Sequence, residues 1–226
     1  MVFALPGQTS PVTSLDFSSD GEYLASSSEE HLVVWGVGLT EAGLEQQPLS
    51  LGPPHMTRWR GRTPITAAPD DTNSVAVLNY GNVEHRSPVQ EGAVMALELS
   101  VDCTLVVFGT VTGSVRSYST VTGAVTELGR HNGPVTSVAV TRDGGTVVSA
   151  ATDRTVKVFQ GDRREVVLEG HWEAVRDVRL VGAREDKVLS CSVTGRLKIW
   201  NITTGELVSL PESVCFQKTL GALFPA

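Results

Sequence analysis

The sequence predicts an all-β chain of about five four-stranded sheets, set radially as the blades of a propeller. Three observations predict it: a period, a strand pattern repeated inside that period, and an enrichment in valine. Aromatic-ended segments close at Tyr118, Phe159 and Trp200, 41 residues apart, and a fourth closes at Trp35, 83 residues before Tyr118. The opening valines Val94, Val135 and Val175 keep the same beat, with Val12 82 residues ahead of Val94. Four short strands every ~40–45 residues are the signature of one blade.

Each unit opens on an alternating or nearly alternating run: VTSLDFS, VMALELS, VTSVAVT or VRDVRL. Strands with one or both faces buried read this way. A turn follows at Ser19-Asp20-Gly21, at Arg142-Asp143-Gly144-Gly145 and, more loosely, at Val181-Gly182-Ala183. Second strands come next (EYLASSS, TLVVFGT, GTVVSAA, KVLSCS), then the aromatic-ended third. Thr122-Gly123, Gly161-Asp162 or Thr204-Gly205 turns into a fourth, AVTEL, EVVLE or ELVSL. The paired valines at 33–34, 106–107, 147–148 and 166–167 are stiff at χ1 and suit a pleated surface. No run of helical period persists long enough to compete.

Composition narrows the function. The chain has 226 residues, 41% hydrophobic and 19% charged, with a formal net charge of −7. Lys and Arg cluster nowhere beyond Arg163-Arg164, so the basic stripe that a nucleic-acid partner requires is missing. A cationic protein partner suits the balance better. Cys103, Cys191 and Cys215 stand far apart and read as reduced, buried thiols. MVFALPGQTS lacks the basic start and apolar core of a signal peptide, and no apolar stretch reaches the ~20 residues of a membrane span. The expectation is a cytoplasmic protein without membrane contact, in which Asn201-Ile202-Thr203 is a turn rather than a glycosylation acceptor.

His131, Ser149 and Asp153 have the residue types of a nucleophilic triad. Ser149 falls in mid-strand, however, with no G-x-S-x-G elbow to expose it, so the structural reading is preferred. His31, His55 and His85 show no metal-ligand spacing, and no phosphate-binding glycine loop occurs. Neither an enzyme nor a cofactor or metal site is expected.

The stretches GRHNGPVTSVAVTRDGGTVVSAATDRTVKVFQGD and GHWEAVRDVRLVGAREDKVLSCSVTGRLKIWN resemble WD repeats. In that family a His, a Ser or Thr, an Asp and a Trp join in a hydrogen-bonded tetrad. The resemblance implies that one unit supplies His131, Ser149 and Asp153, with Phe159 at the Trp position. The next supplies His171, Ser190 and Trp200, with Thr194 in place of Asp. The first supplies Gln8, Ser26, Glu30 and Trp35. A third unit, with Gln90, Phe108, Thr112 and Tyr118, has lost the network. Phe has no N–H to donate, so aliphatic packing is expected to carry more of the stability.

The order of units, through HWEAVRDVRL and VLSCSVTGRLKIWNITTGE, is most similar to the C-terminal WD region of apoptosome-type signalling ATPases, which sense cytochrome c. That resemblance implies residues 1–37 as the last blade of a first propeller, with MVFAL as a strand of it. Residues 38–61, Gly- and Pro-rich, are a crossing between propellers, or else a long loop within one. A degenerate blade over 62–91 follows, then WD blades over 92–128, 129–169 and 170–210, and a tail or truncated blade over 211–226. An incomplete arc exposes two apolar faces, so the chain is expected to associate or aggregate alone. The implied function is a non-catalytic scaffold in a sensor or autoinhibitory region. Its partners are cytochrome c, met through the acidic turn Glu29-Glu30, and domains of its own longer chain. The family's Trp would fall at Pro11 and a further acidic position near Ala4, and both are absent here. The alternative is a WD adaptor for a different assembly.

Overall fold

The computed structural model describes residues 11–18, 21–28, 31–36, 45–48, 56–60, 63–69, 73–79, 82–161, 164–182 and 184–208, some by backbone alone. The described residues form five four-stranded antiparallel sheets, each with its strands in chain order. The first holds β1 (Val12–Phe17), β2 (Tyr23–Ser28), β3 (His31–Gly36) and β4 (Glu45–Pro48). The second holds β5 (Met56–Arg60), β6 (Thr63–Pro69), β7 (Val75–Asn79) and β8 (Asn82–Arg86). The third holds β9 (Val94–Leu99), β10 (Leu105–Thr110), β11 (Ser114–Ser119) and β12 (Val125–Arg130). The fourth holds β13 (Val135–Val140), β14 (Thr146–Ala151), β15 (Val156–Gln160) and β16 (Arg164–Leu168). The fifth holds β17 (Val175–Val181), β18 (Lys187–Ser192), β19 (Leu197–Asn201) and β20 (Leu207–Val208).

The interval 38–61, expected as a crossing or a loop, supplies two of these strands. β4 is the outer strand of the first sheet and β5 the inner strand of the second. The physical reason lies at Trp59, which is buried beside Tyr23 and Ala25 of the first sheet. Its indole N–H donates to the Asp16 carbonyl at 3.0 Å. MVFAL lies outside the described residues.

The first strands of successive sheets are neighbours in space: β1 with β5, β5 with β9, β9 with β13, and β13 with β17. The sheets therefore stack radially around the edge their first strands share. Each hydrophobic core joins two successive sheets. Ile65, Ala67, Val75 and Val77 meet Val94, Leu97, Leu99 and Phe108. Ala96, Val107 and Val115 meet Val135, Val138, Val147 and Phe159. Val148, Ala150, Val156 and Val158 meet Val175, Val178, Val188 and Trp200. In the last two cores the following sheet contributes the aromatic. Gly109 shows how close the sheets come, because a Cβ there would lie 2.2 Å from Val135 Cγ1.

Four of the five inner strands share one irregularity. In β1, β9, β13 and β17 the pairing register skips one residue near the start, at Thr13, Met95, Thr136 and Arg176. In the third, fourth and fifth sheets the bulge re-aims one side chain at the same end of each sheet.

Candidate interaction face

At the bulged end of the third, fourth and fifth sheets, the segment leading into the inner strand meets the turn between the second and third strands of the same sheet. One backbone hydrogen bond ties them in three successive sheets. Val111 N–H donates to Ala93 O at 2.9 Å, Thr152 N–H to Pro134 O at 3.0 Å and Val193 N–H to Ala174 O at 3.0 Å. These loops form a surface whose shape repeats while its side chains vary.

Beneath it lie the polar clusters. In the fourth sheet His131 and Ser149 are buried, with His131 Nε2 2.8 Å from Ser149 Oγ. His131 Nδ1 lies 3.0 Å from Asp153 Oδ2 and 3.1 Å from Thr155 Oγ1. The carboxylate also accepts from Asn132 N–H at 2.9 Å and from Thr155 N–H and O–H at 3.0 and 2.8 Å. An anionic Asp153 makes Nδ1 the donor, so Nε2 accepts from Ser149. That is the bond order of a nucleophilic triad, yet Ser149 is wholly buried and can meet no substrate. Phe159 offers nothing polar and packs in the core between sheets three and four. The cluster instead fastens the Asn132 lead-in to the Asp153 turn.

In the fifth sheet Ser190 Oγ lies 2.7 Å from His171 Nε2 and accepts from Trp200 Nε1 at 2.8 Å. Thr194 does not reach His171. Its hydroxyl bonds Glu173 and lies 3.1 Å from Ser192 Oγ, tying turn to lead-in without the imidazole. The third sheet carries a different polar set. Arg116 Nη1 donates to Gln90 Oε1 at 2.7 Å and Nη2 to Glu127 Oε2 at 3.3 Å, while Thr112 donates to Glu91 O at 3.0 Å. Phe108 is fully buried, and Tyr118 donates to Arg86 O at 3.3 Å. The sequence pattern pointed to a lost network here because it tested for one set of residue types. Of the remaining candidates, Ser26 is buried in β2. Gln8, Glu29 and Glu30 lie outside the described residues, as does the Trp35 side chain, although Trp35 itself is in β3.

Burial shapes the titration. It is the largest influence on His171 and, with Lys198, pulls its pKa from 6.5 down to about 4 against Glu173. Burial also lowers His131, with Asp153 opposing. Burial works to raise Asp153, but hydrogen bonds from Thr155 and Asn132, with His131 beside it, hold it below the usual 3.8. A histidine whose folded pKa lies below its unfolded value is stabilising as the neutral form. That stability is fully present above pH ~6.5 and is lost as pH falls towards 4. His171 is therefore expected to cost at most about 3 kcal/mol across this window. Urea midpoints between pH 7.5 and 4.5 should fall, and His171→Asn should flatten the slope. A wild-type midpoint independent of pH would remove this account.

The surface above these clusters carries one feature that strand patterns did not single out. Trp172, next in sequence to His171, is 80% exposed. Asn132 and Glu91 hold the same position after His131 and Gln90. Val193 in the adjoining turn is also exposed, as are Val89, Met95 and Val111 around the third sheet's corresponding loops. A large aromatic held out in water beside a rigidly tied loop is a ready anchor for another protein. The signal that could have found it is its place directly after the buried histidine.

Comparisons with known proteins agree with this architecture. The family described as WD domain, G-beta repeat matches residues 1–36, 123–160 and 163–201, together half of the chain. Apoptotic protease-activating factor 1 of Rattus norvegicus is 26% identical over 219 residues, covering 95% of this chain. The same-named protein of Homo sapiens is 25% identical over 217 residues, again covering 95%. This chain spans 17% of the length of each of these relatives. Among solved structures, the crystal structure of the computationally designed Ika8 protein is similar with a TM-score of 0.73 and 26% identity. That match covers 90% of this chain and 62% of the designed one.

Proposed function

The chain belongs to the WD-repeat family, and from that premise we propose that it is a non-catalytic platform that docks another protein on the face carrying Trp172. The exposure of Trp172 is the observation that carries this reading. Interface anchors are enriched in tryptophan, and truncating one typically costs ~2–4 kcal/mol. The neighbouring His, Ser and Asp groups support it, since they spend their hydrogen bonds inside the fold.

Similarity to apoptotic protease-activating factor 1 and the net charge of −7 favour a finer reading. In it, the chain is a cytoplasmic sensor or autoinhibitory region of an apoptosome-type signalling ATPase. Its partners are a basic protein such as cytochrome c and domains of its own longer chain. Glu29-Glu30, between β2 and β3, would meet the cationic partner. The test is capture of cytochrome c by the wild type, Trp172→Ala and the pair Glu29→Lys, Glu30→Lys, at low and high salt. Charge reversal is expected to weaken capture at low salt, and Trp172→Ala to weaken it tens- to hundreds-fold at both. Capture indifferent to charge reversal removes the acidic turn from the contact. If no cytochrome c is held but other proteins bind through Trp172, the chain is an adaptor for a different assembly. Partners bound equally by Trp172→Ala would refute the platform itself.

A further inference from the structure

We propose that the segment docked beside Trp172 is acidic, its carboxylates meeting Arg176, Arg196 and Lys198 while an apolar residue covers the indole. This rests on the platform reading above and names the chemistry that the platform selects. Three sheets of one chain can be compared position by position. The bulged residue of the inner strand is Met95 in the third sheet, Thr136 in the fourth and Arg176 in the fifth. The residue just before the paired part of the third strand is Ser114, then Thr155, then Arg196. At both positions the fifth sheet puts an exposed arginine where its sisters have an uncharged side chain. Among the described residues neither arginine meets a carboxylate.

A third position is cationic in all three sheets, and there the difference lies in the partner. Arg116, Lys157 and Lys198 pair across the sheet with Phe108, Ser149 and Ser190. Glu127 lies 3.3 Å from Arg116 Nη2, and Glu165 lies 2.5 Å from Lys157 Nζ. Glu165 stands opposite Phe159, and the residue opposite Trp200 in the fifth sheet is Leu207. Lys198 is thus left with the face of Trp200, 5.6 Å from its ring centroid. The acids nearest in sequence are occupied. Glu173 accepts the Thr194 hydroxyl. Asp177 accepts from Ser137 Oγ at 2.7 Å and from Val178 N–H at 2.9 Å, with Arg179 3.5 Å away.

These cations surround the tied loop that presents Trp172. Val193 N–H holds Ala174 O, two residues before Arg176, and Ser192 N–H holds Arg196 O at 2.9 Å. Lys198 Nζ would lie 3.5 Å from a Cβ on Gly170, two residues before Trp172. Lys198 also shares a face of β19 with Trp200, which packs against the fourth sheet, so the loop borders a neighbour that is present. On a chain of net charge −7, three cations without a carboxylate around one exposed tryptophan favour an anionic visitor. Tryptophan and arginine are also the residue types that most often anchor protein interfaces. Three cations in one loop are too few for the phosphate track of a nucleic acid. The docking segment is acidic whatever the net charge of the protein that carries it, and a cationic surface is met elsewhere, at Glu29-Glu30.

Random peptides displayed on phage and selected on the 226-residue chain provide the test. The wild type should enrich peptides with an excess of Asp and Glu around an apolar residue. The double variant Arg176→Glu, Arg196→Glu should lose that acidic excess, and Trp172→Ala should retain few binders of any charge. A synthetic peptide from the wild-type selection should bind the charge-reversed variant ~10–100-fold more weakly at low salt, with the gap narrowing at high salt. Lys198→Gln should weaken it in the same direction by less. Both arginines are exposed, and circular dichroism checks that the variants keep their strands. Peptides that need Trp172 but show no acidic excess, or an acidic excess that survives charge reversal, overturn the proposal and leave the platform standing. Peptides held equally by Trp172→Ala, or no selection by the wild type at all, bring down the platform as well. Labelled single-stranded DNA bound through the same arginines more tightly than the peptide overturns the proposal in favour of a nucleic acid.

Discussion

Gly113→Ala is expected to destabilise the chain by about 3–5 kcal/mol, the largest loss from a single methyl group anywhere in the described loops. Gly113 sits in the turn between β10 and β11 at φ +90°, where an L side chain is strained at ~1–2 kcal/mol. Space makes it worse. A Cβ there would lie 2.4 Å from the His131 carbonyl oxygen and 3.0 Å from that of Gly133, and backbone has little room to yield. The turn also accepts the His131 N–H on the Gly113 carbonyl at 2.9 Å, so pushing the two apart breaks that bond. Because His131 anchors the fourth sheet's polar cluster, the damage should spread to the lead-in at Asn132. Gly195→Ala is the control. It has φ +85° in the corresponding turn of the fifth sheet, with open space around its Cβ, and should lose only the conformational part. Chemical unfolding of the two variants separates these contributions. Equal losses would mean that crowding against His131 contributes nothing.

That pair also shows what the sequence could and could not disclose. The glycines recur 82 residues apart, at 113 and 195, with Arg154 between them at φ 72° in the same turn. The period is therefore visible even where residue type changes. It was legible because the third, fourth and fifth sheets meet the same geometric demand: a bulged inner strand and a tied turn. The second sheet was legible only in part. β4 and β5 run through a stretch whose glycines and prolines mask alternation, and only the packing of Met56–Arg60 beside β1 and β9 reveals it as an inner strand. Among the site residues, His131, Ser149 and Asp153 could be placed together because the resemblance to WD repeats implies that grouping. The exchange of partners in the third sheet could not, since Gln90 and Arg116 are 26 residues apart and meet only once β9 to β11 have folded. Trp172 escaped for a different reason. Strand periodicity reports which face is buried, and it is silent about loops.

The polar clusters of the fourth and fifth sheets divide the same work differently, and that division makes Ser190→Ala the second large effect. Ser190 is fully buried and is the shared partner of two buried groups, His171 Nε2 and Trp200 Nε1. Removing the hydroxyl leaves an indole N–H and an imidazole nitrogen without a partner in a dry interface. At ~1–3 kcal/mol for each unsatisfied group, a loss of about 2–4 kcal/mol is expected. Ser149→Ala should cost about half as much, because Phe159 asks nothing of the serine and His131 is still held at Nδ1 by Asp153 and Thr155. The fourth sheet thus suggests the compensating change for the fifth. Adding Trp200→Phe to Ser190→Ala removes the orphaned N–H and should recover part of the loss, whereas Trp200→Phe alone creates a cavity and destabilises. A double-mutant cycle from urea unfolding reads this directly as a coupling of about 1 kcal/mol or more between the two positions. Additive effects would mean that Ser190 and Trp200 stabilise the blade independently, and that the hydrogen bond between them is an incidental contact rather than the reason a tryptophan stands there.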